Sequence, residues 1–251
     1  MAKTKFPTEE VNLPSKGYYY PKQNPLASGK VEMKYMTARE EDILTSPNLL
    51  KHGIAIDKLL EALIVDKKIK LDDLLIGDKN ALIIAARILA YTKRYEFAAI
   101  DEEGEETTAT VDLTTLNDKE IDFKGMPEGI NEFPFKLPNS EREVVLRILT
   151  HKDEKGLTEE AQALQKVKVS TGMTSRMKRM IVSIDGNTER AAIINFVDTE
   201  LLSVDALEIR RYLASITPDV NMMTTATYAD GTEREVAVQI TAQFFWPSTE
   251  A

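Results

Sequence analysis

The sequence predicts an α+β fold with an internal repeat, a helical N-terminal part and a mixed C-terminal part that each carry a helix followed by a β-hairpin. Three observations carry that reading. A helix-period apolar run twice gives way to a Gly-centred turn and then to alternating residues, so the period changes from about 3.6 to about 2 within one unit. A single ungapped offset that lays Gly104 on Gly231 also lays Asp78 on Asp205, Val111 on Val238, Leu113 on Ile240 and Thr114 on Thr241. With 251 residues, 43% of them apolar and 29% charged, the chain can bury a core as one large domain or as two of ordinary size.

Residues 1–36 are expected to form an extended arm and a strand. Pro7, Pro14, Pro21 and Pro25, with Gly17 and Gly29, exclude a long helix there, and Val31, Met33 and Tyr35 then alternate with polar residues. The adjacent rings of Tyr18, Tyr19 and Tyr20 point to both sides of an extended segment, so at least one side packs on the protein's own body or anchors a partner. Residues 37–116 read as a helical region that ends in the first helix and hairpin. Thr37-Ala38-Arg39-Glu40 is a capping-box pattern opening a helix that Pro47 interrupts, and Ile56, Leu59, Leu60 and Leu63 form the stripe of a helix from about Ala55. Leu82, Ile83, Ala86 and Ala90 belong to a helix apolar around most of its girth, the mark of a central element. The tip Asp101–Glu106 contains Gly104, and Ala109, Val111 and Leu113 alternate along the returning strand.

Residues 117–251 read as a mixed region that ends in the second helix and hairpin. An irregular stretch to Glu132 precedes two strands, one with Phe133, Phe135 and Leu137 and one over Val144–Ile148. A helical stretch from Leu157 to about Met180 has a break at Gly172, and Ile181–Ile184 is a short strand or the helix end. Asp185-Gly186 breaks the chain, Asn187 or Thr188 caps an amphipathic run over Ala191–Leu202, and Ser203 caps the helix bearing Leu207, Ile209, Tyr212, Leu213 and Ile216. The second tip holds Asp230-Gly231. The closing Phe244-Phe245-Trp246-Pro247 is apolar enough to require docking on its own domain or on a neighbour. Candidate partner-binding residues are therefore Tyr18, Tyr19, Tyr20, Phe244, Phe245 and Trp246.

The inventory for enzymatic chemistry is thin. The absence of cysteine removes disulfides, thiolate nucleophiles and Cys-based metal sites. His52 and His151 stand in unrelated charged surroundings with no Gly-x-Ser-x-Gly elbow or Asp partner to accompany them, and read as surface or loop histidines. No Walker or Gly-x-Gly-x-x-Gly pattern is present. The carboxylates at Asp101–Glu106 and Asp72-Asp73 admit a distant alternative, a carboxylate-based metal-assisted hydrolase, but a solvated hairpin tip is the simpler reading. Met173, Met177 and Met180 fall on one helical stripe with Arg176, Lys178 and Arg179 between them, read as a core face beside a solvated or salt-bridged one. A net charge of −9 opposes a nucleic-acid role. No apolar run reaches the ~20 residues of a membrane span and no signal sequence opens the chain, so neither a membrane nor export is expected. No catalytic residue, cofactor or metal is predicted.

Leu13-Pro14-Ser15-Lys16-Gly17, Met36–Thr45 (MTAREEDILT), Leu74–Ile88 (LLIGDKNALIIAARI) and the closing Phe244-Phe245-Trp246-Pro247 resemble the baseplate hub proteins of T-even-type contractile-tailed bacteriophages. The resemblance implies a non-enzymatic tail protein acting in assembly of the central baseplate hub, with hub, tail-tube or tape-measure proteins as partners, in the host cytoplasm during assembly and in the virion baseplate as a structural subunit. Self-association is compatible with it. The alternative within the same biology is a transient chaperone for the tape-measure or hub protein, absent from the mature virion. Some members carry Cys-x-x-Cys-Gly knuckles at the hairpin tips; here Ile100 and Glu103, and Thr227 and Asp230, stand at those places, so zinc is not implied.

Overall fold

The structure is a computed structural model that describes residues 7–100, 104–165 and 172–245, the side chains of 164, 165, 242 and 243 aside. In chain order its elements are β1 (Thr8–Asn12), β2 (Lys30–Lys34), α1 (Ala38–Thr45), α2 (Pro47–Lys51), α3 (Ala55–Leu63), α4 (Ile76–Ala90), β3 (Arg94–Ile100) and β4 (Glu106–Asp112). There follow β5 (Phe133–Lys136), β6 (Glu143–Leu146), α5 (His151–Gln165), α6 (Gly172–Met180), β7 (Ile181–Ile184), α7 (Arg190–Asn195, continued by a π-type turn over Phe196–Glu200), α8 (Ser203–Ile216), β8 (Met223–Tyr228) and β9 (Glu233–Ala237). Helices thus combine with three antiparallel sheets, ordered β1-β2, β5-β6-β7 and β3-β4-β8-β9, a mixed α+β architecture.

Local sequence accounts for most starts and stops. The Thr37 N–H donates to Glu40 Oε2 at 3.0 Å, as the capping pattern requires, and Lys34 adds an ion pair to the same buried carboxylate at 2.7 Å. Val31 and Met33 turn inward from β2 as expected, while Tyr35 lies just beyond the strand and is exposed. Helix α5 begins at His151, ahead of the expected Leu157, because Asp153 accepts the N–H and the hydroxyl of Thr150, each at 3.0 Å. The Ile181–Ile184 segment is a strand, paired with β6. Caps differ from expectation by a residue or two. Glu189 caps α7, with Asn187 Oδ1 accepting its N–H at 2.8 Å, and Leu202 rather than Ser203 caps α8.

The two hairpins share one sheet through β4 and β8, with Ala109 opposite Tyr228 and Thr110 opposite Thr227. The offset that superposes Gly104 on Gly231 also superposes their cross-strand registers: Phe97↔Ala109 falls on Thr224↔Val236, and Ile100↔Glu106 on Thr227↔Glu233. Gly104 and Gly231 have φ of 84° and 85°, the left-handed backbone that a tight turn demands and glycine adopts without strain. The inner face of this sheet offers Tyr95, Ala109, Val111, Ala226 and Val238 to the core.

Helix α4 runs through that core, with Leu82, Ile83, Ile84, Ala86 and Leu89 all buried. Each large aliphatic side chain so placed stabilises the fold by roughly 1.5–3 kcal/mol relative to exposure. Its first turn lies directly on the backbone that follows α8. A methyl group at Gly77 would sit 2.1 Å from the Pro218 carbonyl oxygen and 2.5 Å from Asp219 Cα, atoms that cannot swing aside. Gly77→Ala is therefore expected to destabilise the chain by about 1–3 kcal/mol despite alanine's better helix propensity, read as a lower urea midpoint at unchanged slope. An unchanged or raised midpoint would contradict this packing.

Candidate functional site

Two buried carboxylates occupy the same place on two helices. Asp78 is the third residue of α4 and Asp205 the third of α8, and both are fully buried. Neither helix has a capping side chain of its own, and each sends its aspartate to a distant Leu-Pro loop instead. Asp78 accepts from Ser15 N–H at 2.9 Å, Ser15 Oγ at 2.7 Å and Tyr20 Oη at 2.6 Å. Asp205 accepts from Asn139 N–H, Asn139 Nδ2 and Ser140 N–H, each at 3.0 Å. The loops match in kind: Leu13-Pro14-Ser15 and Leu137-Pro138-Asn139 each begin with a buried leucine, and positive φ follows at Lys16 (51°) and Glu141 (57°).

The two carboxyls titrate in opposite directions. Burial raises Asp78 above the ordinary carboxylate value, and the bonds from Tyr20 and Ser15 only partly offset it. Burial also pushes on Asp205, but the amide donors of Asn139 and Ser140 outweigh it and hold that group below its ordinary value. The Tyr20 phenol is raised by burial and by the adjacent Asp78.

The predicted contact residues lie for the most part inside. Tyr19 is 1% exposed, with its hydroxyl donating to Ile216 O at 3.1 Å and its ring edge-on to Phe133 at 5.2 Å. Tyr20 donates to Asp78 and accepts the Leu75 N–H at 2.8 Å. Tyr18 alone of the three keeps part of its ring at the surface, bonded to Met126 O at 3.0 Å. Phe244 and Phe245 are fully buried, and Arg87 Nε donates to the Phe244 carbonyl at 2.9 Å. The expectation that these aromatics present a partner surface is corrected for Tyr19, Tyr20, Phe244 and Phe245, whose apolar area is already spent on the chain's own core. Trp246 lies outside the described residues, as does the Asp101–Glu103 part of the first tip.

His151 corrects the reading of a surface or loop histidine. It is buried, its Nε2–H donates to Asp57 Oδ2 at 2.8 Å, and Lys79 Nζ lies 3.1 Å from its Nδ1 and 2.6 Å from Asp57 Oδ1. Burial raises Asp57, but the bonds from His151 and Lys79 prevail and hold its carboxyl down at about 2. The imidazole faces a carboxylate and an ammonium, and the three side chains tie α3, α4 and α5 together. Asp57 and His151 are 94 residues apart, and no spacing rule joins them.

Among the described residues no group of three or more His, Asp or Glu could hold a metal ion, and no helix is long and apolar enough to cross a membrane. Asp72 pairs with Lys155 at 3.1 Å. In the basic stretch of α6, Arg176 pairs with Glu154 at 2.7 Å and Lys178 with Asp198 at 2.7 Å, while Met177 is buried and Met173 is exposed. An open groove of about 810 Å³ runs along α8, with Met180, Leu213 and Met222 among its walls, and Lys119 reaches from its rim to the carbonyls of Ala214 and Thr217 at the end of that helix. Comparison of the chain with protein-family models, with curated proteins and with solved structures finds no match.

Two predictions follow from the buried ties. Tyr20→Phe leaves the Asp78 carboxylate short of a donor and the Leu75 N–H short of an acceptor, so a loss of about 2–4 kcal/mol in urea unfolding is expected; a loss below ~1 kcal/mol would show that the hydroxyl is dispensable. Asp57, depressed in the folded state, contributes stability that is full above pH ~4 and lost as pH falls through about 2. Asp57→Asn is expected to flatten the stability-against-pH curve across that window, by roughly 2 kcal/mol relative to the parent, and parallel curves would overturn the assignment.

Proposed function

We propose that this chain is a non-enzymatic phage tail protein that acts in assembly of the central baseplate hub, through contacts with hub, tail-tube or tape-measure proteins, and that it is built from two related halves. The observation that carries the reading is where the resembling stretches lie. Leu13–Gly17 and Leu74–Ile88 meet at Asp78, which Ser15 clamps. The tail meets the same helix where Phe244 O accepts from Arg87. The residues that carry the likeness are therefore those that tie the arm and the tail to α4. The two-half reading is supported by the common offset of the hairpin registers and of Asp78 with Asp205.

Polar side chains of the interior support a role in contact rather than turnover, because the buried carboxylates and His151 are engaged in tying segments together. The work then falls to the outer surface, in the host cytoplasm and, for a subunit that stays, in the virion.

A phage lacking this chain is expected to stop at hub assembly and yield no contractile-tailed particles, and normal particle yield would sink the proposal. Quantitative mass spectrometry of purified virions beside infected-cell lysate then separates the roles. A few copies per particle in fixed ratio to tail proteins means a hub subunit, whereas abundance in lysate with none in virions means a transient assembly chaperone.

A further inference from the structure

One face of α8 stays open toward its end. Arg210, Leu213 and Ala214, with Thr217 just past the helix, recur at helical spacing and form one wall of the groove of about 810 Å³. Leu213 is spent on the core, whereas Ala214 is exposed and too small to fill the space before it. Facing them, two stretches run antiparallel: the Lys119 N–H donates to Asp219 O and the Asn221 N–H to Asn117 O, each at 2.8 Å. Lys119 Nζ crosses from that wall to the Ala214 carbonyl and, at 3.3 Å, to that of Thr217. Bonds within the chain therefore fix the spacing of the two walls.

The apolar lining of the groove includes Met180, Met222 and Met223. Met223 is 46% exposed, and Met180 and Met222 are half-buried. Unbranched thioethers adjust to apolar surfaces of differing shape, which suits a site that receives another chain. Charge is set along the paired wall. Asp118, Glu120 and Asp219 stand there, and none of them is in an ion pair among the described residues. Asp219 accepts only from neutral groups, the Asn80 amide at 3.0 Å and the Val220 N–H at 2.8 Å. Burial raises Asp118 above its ordinary value, and the charge of Lys16 offsets this only in part. Lys119, on the same wall, is turned away onto the α8 carbonyls.

We propose that the groove takes an amphipathic helix of a partner protein, its apolar stripe laid between α8 and the methionines and its Lys or Arg side chains reaching Asp118, Glu120 and Asp219. The fixed walls, the methionines and the unpaired carboxylates carry the proposal, independently of the hub reading. A helix suits this site better than an extended segment, because α8 spends its backbone groups within itself and on Lys119, and a helix satisfies its own.

The probe is a fluorescein-labelled peptide of about 14 residues with the Leu/Lys pattern of an amphipathic helix. Titrated with the full-length chain, it is expected to gain anisotropy with micromolar affinity that weakens about tenfold between about 0.05 M and about 0.5 M salt. A scrambled peptide of the same composition and a Leu/Glu counterpart are each expected to bind about tenfold more weakly. Met223→Ser and Glu120→Gln, both at exposed positions, are each expected to weaken the Leu/Lys peptide about three- to tenfold, and Glu233→Gln, outside the groove, to leave it unchanged. Equal binding of the scrambled peptide, or an equal loss with Glu233→Gln, would mean general attraction of a basic peptide to a chain of net charge −9 and overturn the proposal. A parent chain that dimerises in sedimentation velocity, becomes monomeric as Met223→Ser and is not dissociated by the peptide would assign the groove to a second copy and overturn it as well. A chain that binds no Leu/Lys peptide yet is required for hub assembly would sink the groove proposal and leave the hub reading intact.

Discussion

A carboxylate withdrawn from water at the first turn of a helix is the constraint around which this chain is arranged. Burying such a charge costs several kcal/mol even after relaxation, and only a full set of donors in good geometry offsets it. At Asp78 those donors come from residues near the start of the chain, with sequence separations of 63 for Ser15 and 58 for Tyr20. The helix and the arm must therefore arrive together, because either alone leaves unsatisfied polar groups in the core. The same logic repeats at Asp205, with a difference. Backbone and carboxamide N–H groups can only donate, so they favour the ionised acid, whereas the hydroxyls of Ser15 and Tyr20 can turn and accept from a protonated one. At Asp78 burial outweighs the bonds from Tyr20 and Ser15 and raises the group, whereas at Asp205 the bonds from Asn139 and Ser140 outweigh burial and hold it down.

From Asp78 the ties spread along α4. Gly77 lets the Pro218–Asp219 backbone approach, and Asn80 Nδ2 donates to Asp219 Oδ1 at 3.0 Å one turn on. The Leu74 carbonyl accepts the N–H of His151, so α5 starts against the start of α4, and Lys79 closes the Asp57–His151 pair beside it. At the far end Arg87 lies over the rings of Tyr91 and Tyr95, 4.8 Å and 5.8 Å from their centroids, and holds the Phe244 carbonyl. A guanidinium buried this way is stabilised by carbonyl and ring electrons, and it fixes the tail to the hairpin sheet.

Local patterns were legible in the sequence and distant partnerships were not. The Thr37–Glu40 cap, the inward Val31 and Met33 and the glycine turns at Gly104 and Gly231 each depend on neighbours within a few residues, which is the range over which sequence pattern speaks. The girth-wide apolarity of α4 likewise marked a central helix. The start of α5 was missed because its signal is Thr150 with Asp153, a capping pair that uses the shorter acid in place of Glu. The sequence left the aromatics open between a partner surface and the chain's own core because a ring run at an arm looks the same in either place. Tyr19 finds Ile216 at a separation of 197 residues, and no local rule could announce that.

Sequence and packing also divide the molecule differently. A split near residue 117 separates two stretches of comparable plan, yet a two-stranded ribbon is only marginally stable by itself in water. Here each ribbon gains its second neighbour from the other, across β4 and β8, and together they present one apolar face that includes Tyr95, Val111 and Ala226. Phe244 then packs its ring 5.0 Å from Tyr95, so the end of the chain covers the hairpin of the first stretch and not only its own. Either stretch alone would expose half of that face and an unpaired central edge. The boundary is one of sequence, and the folded unit is the whole described chain.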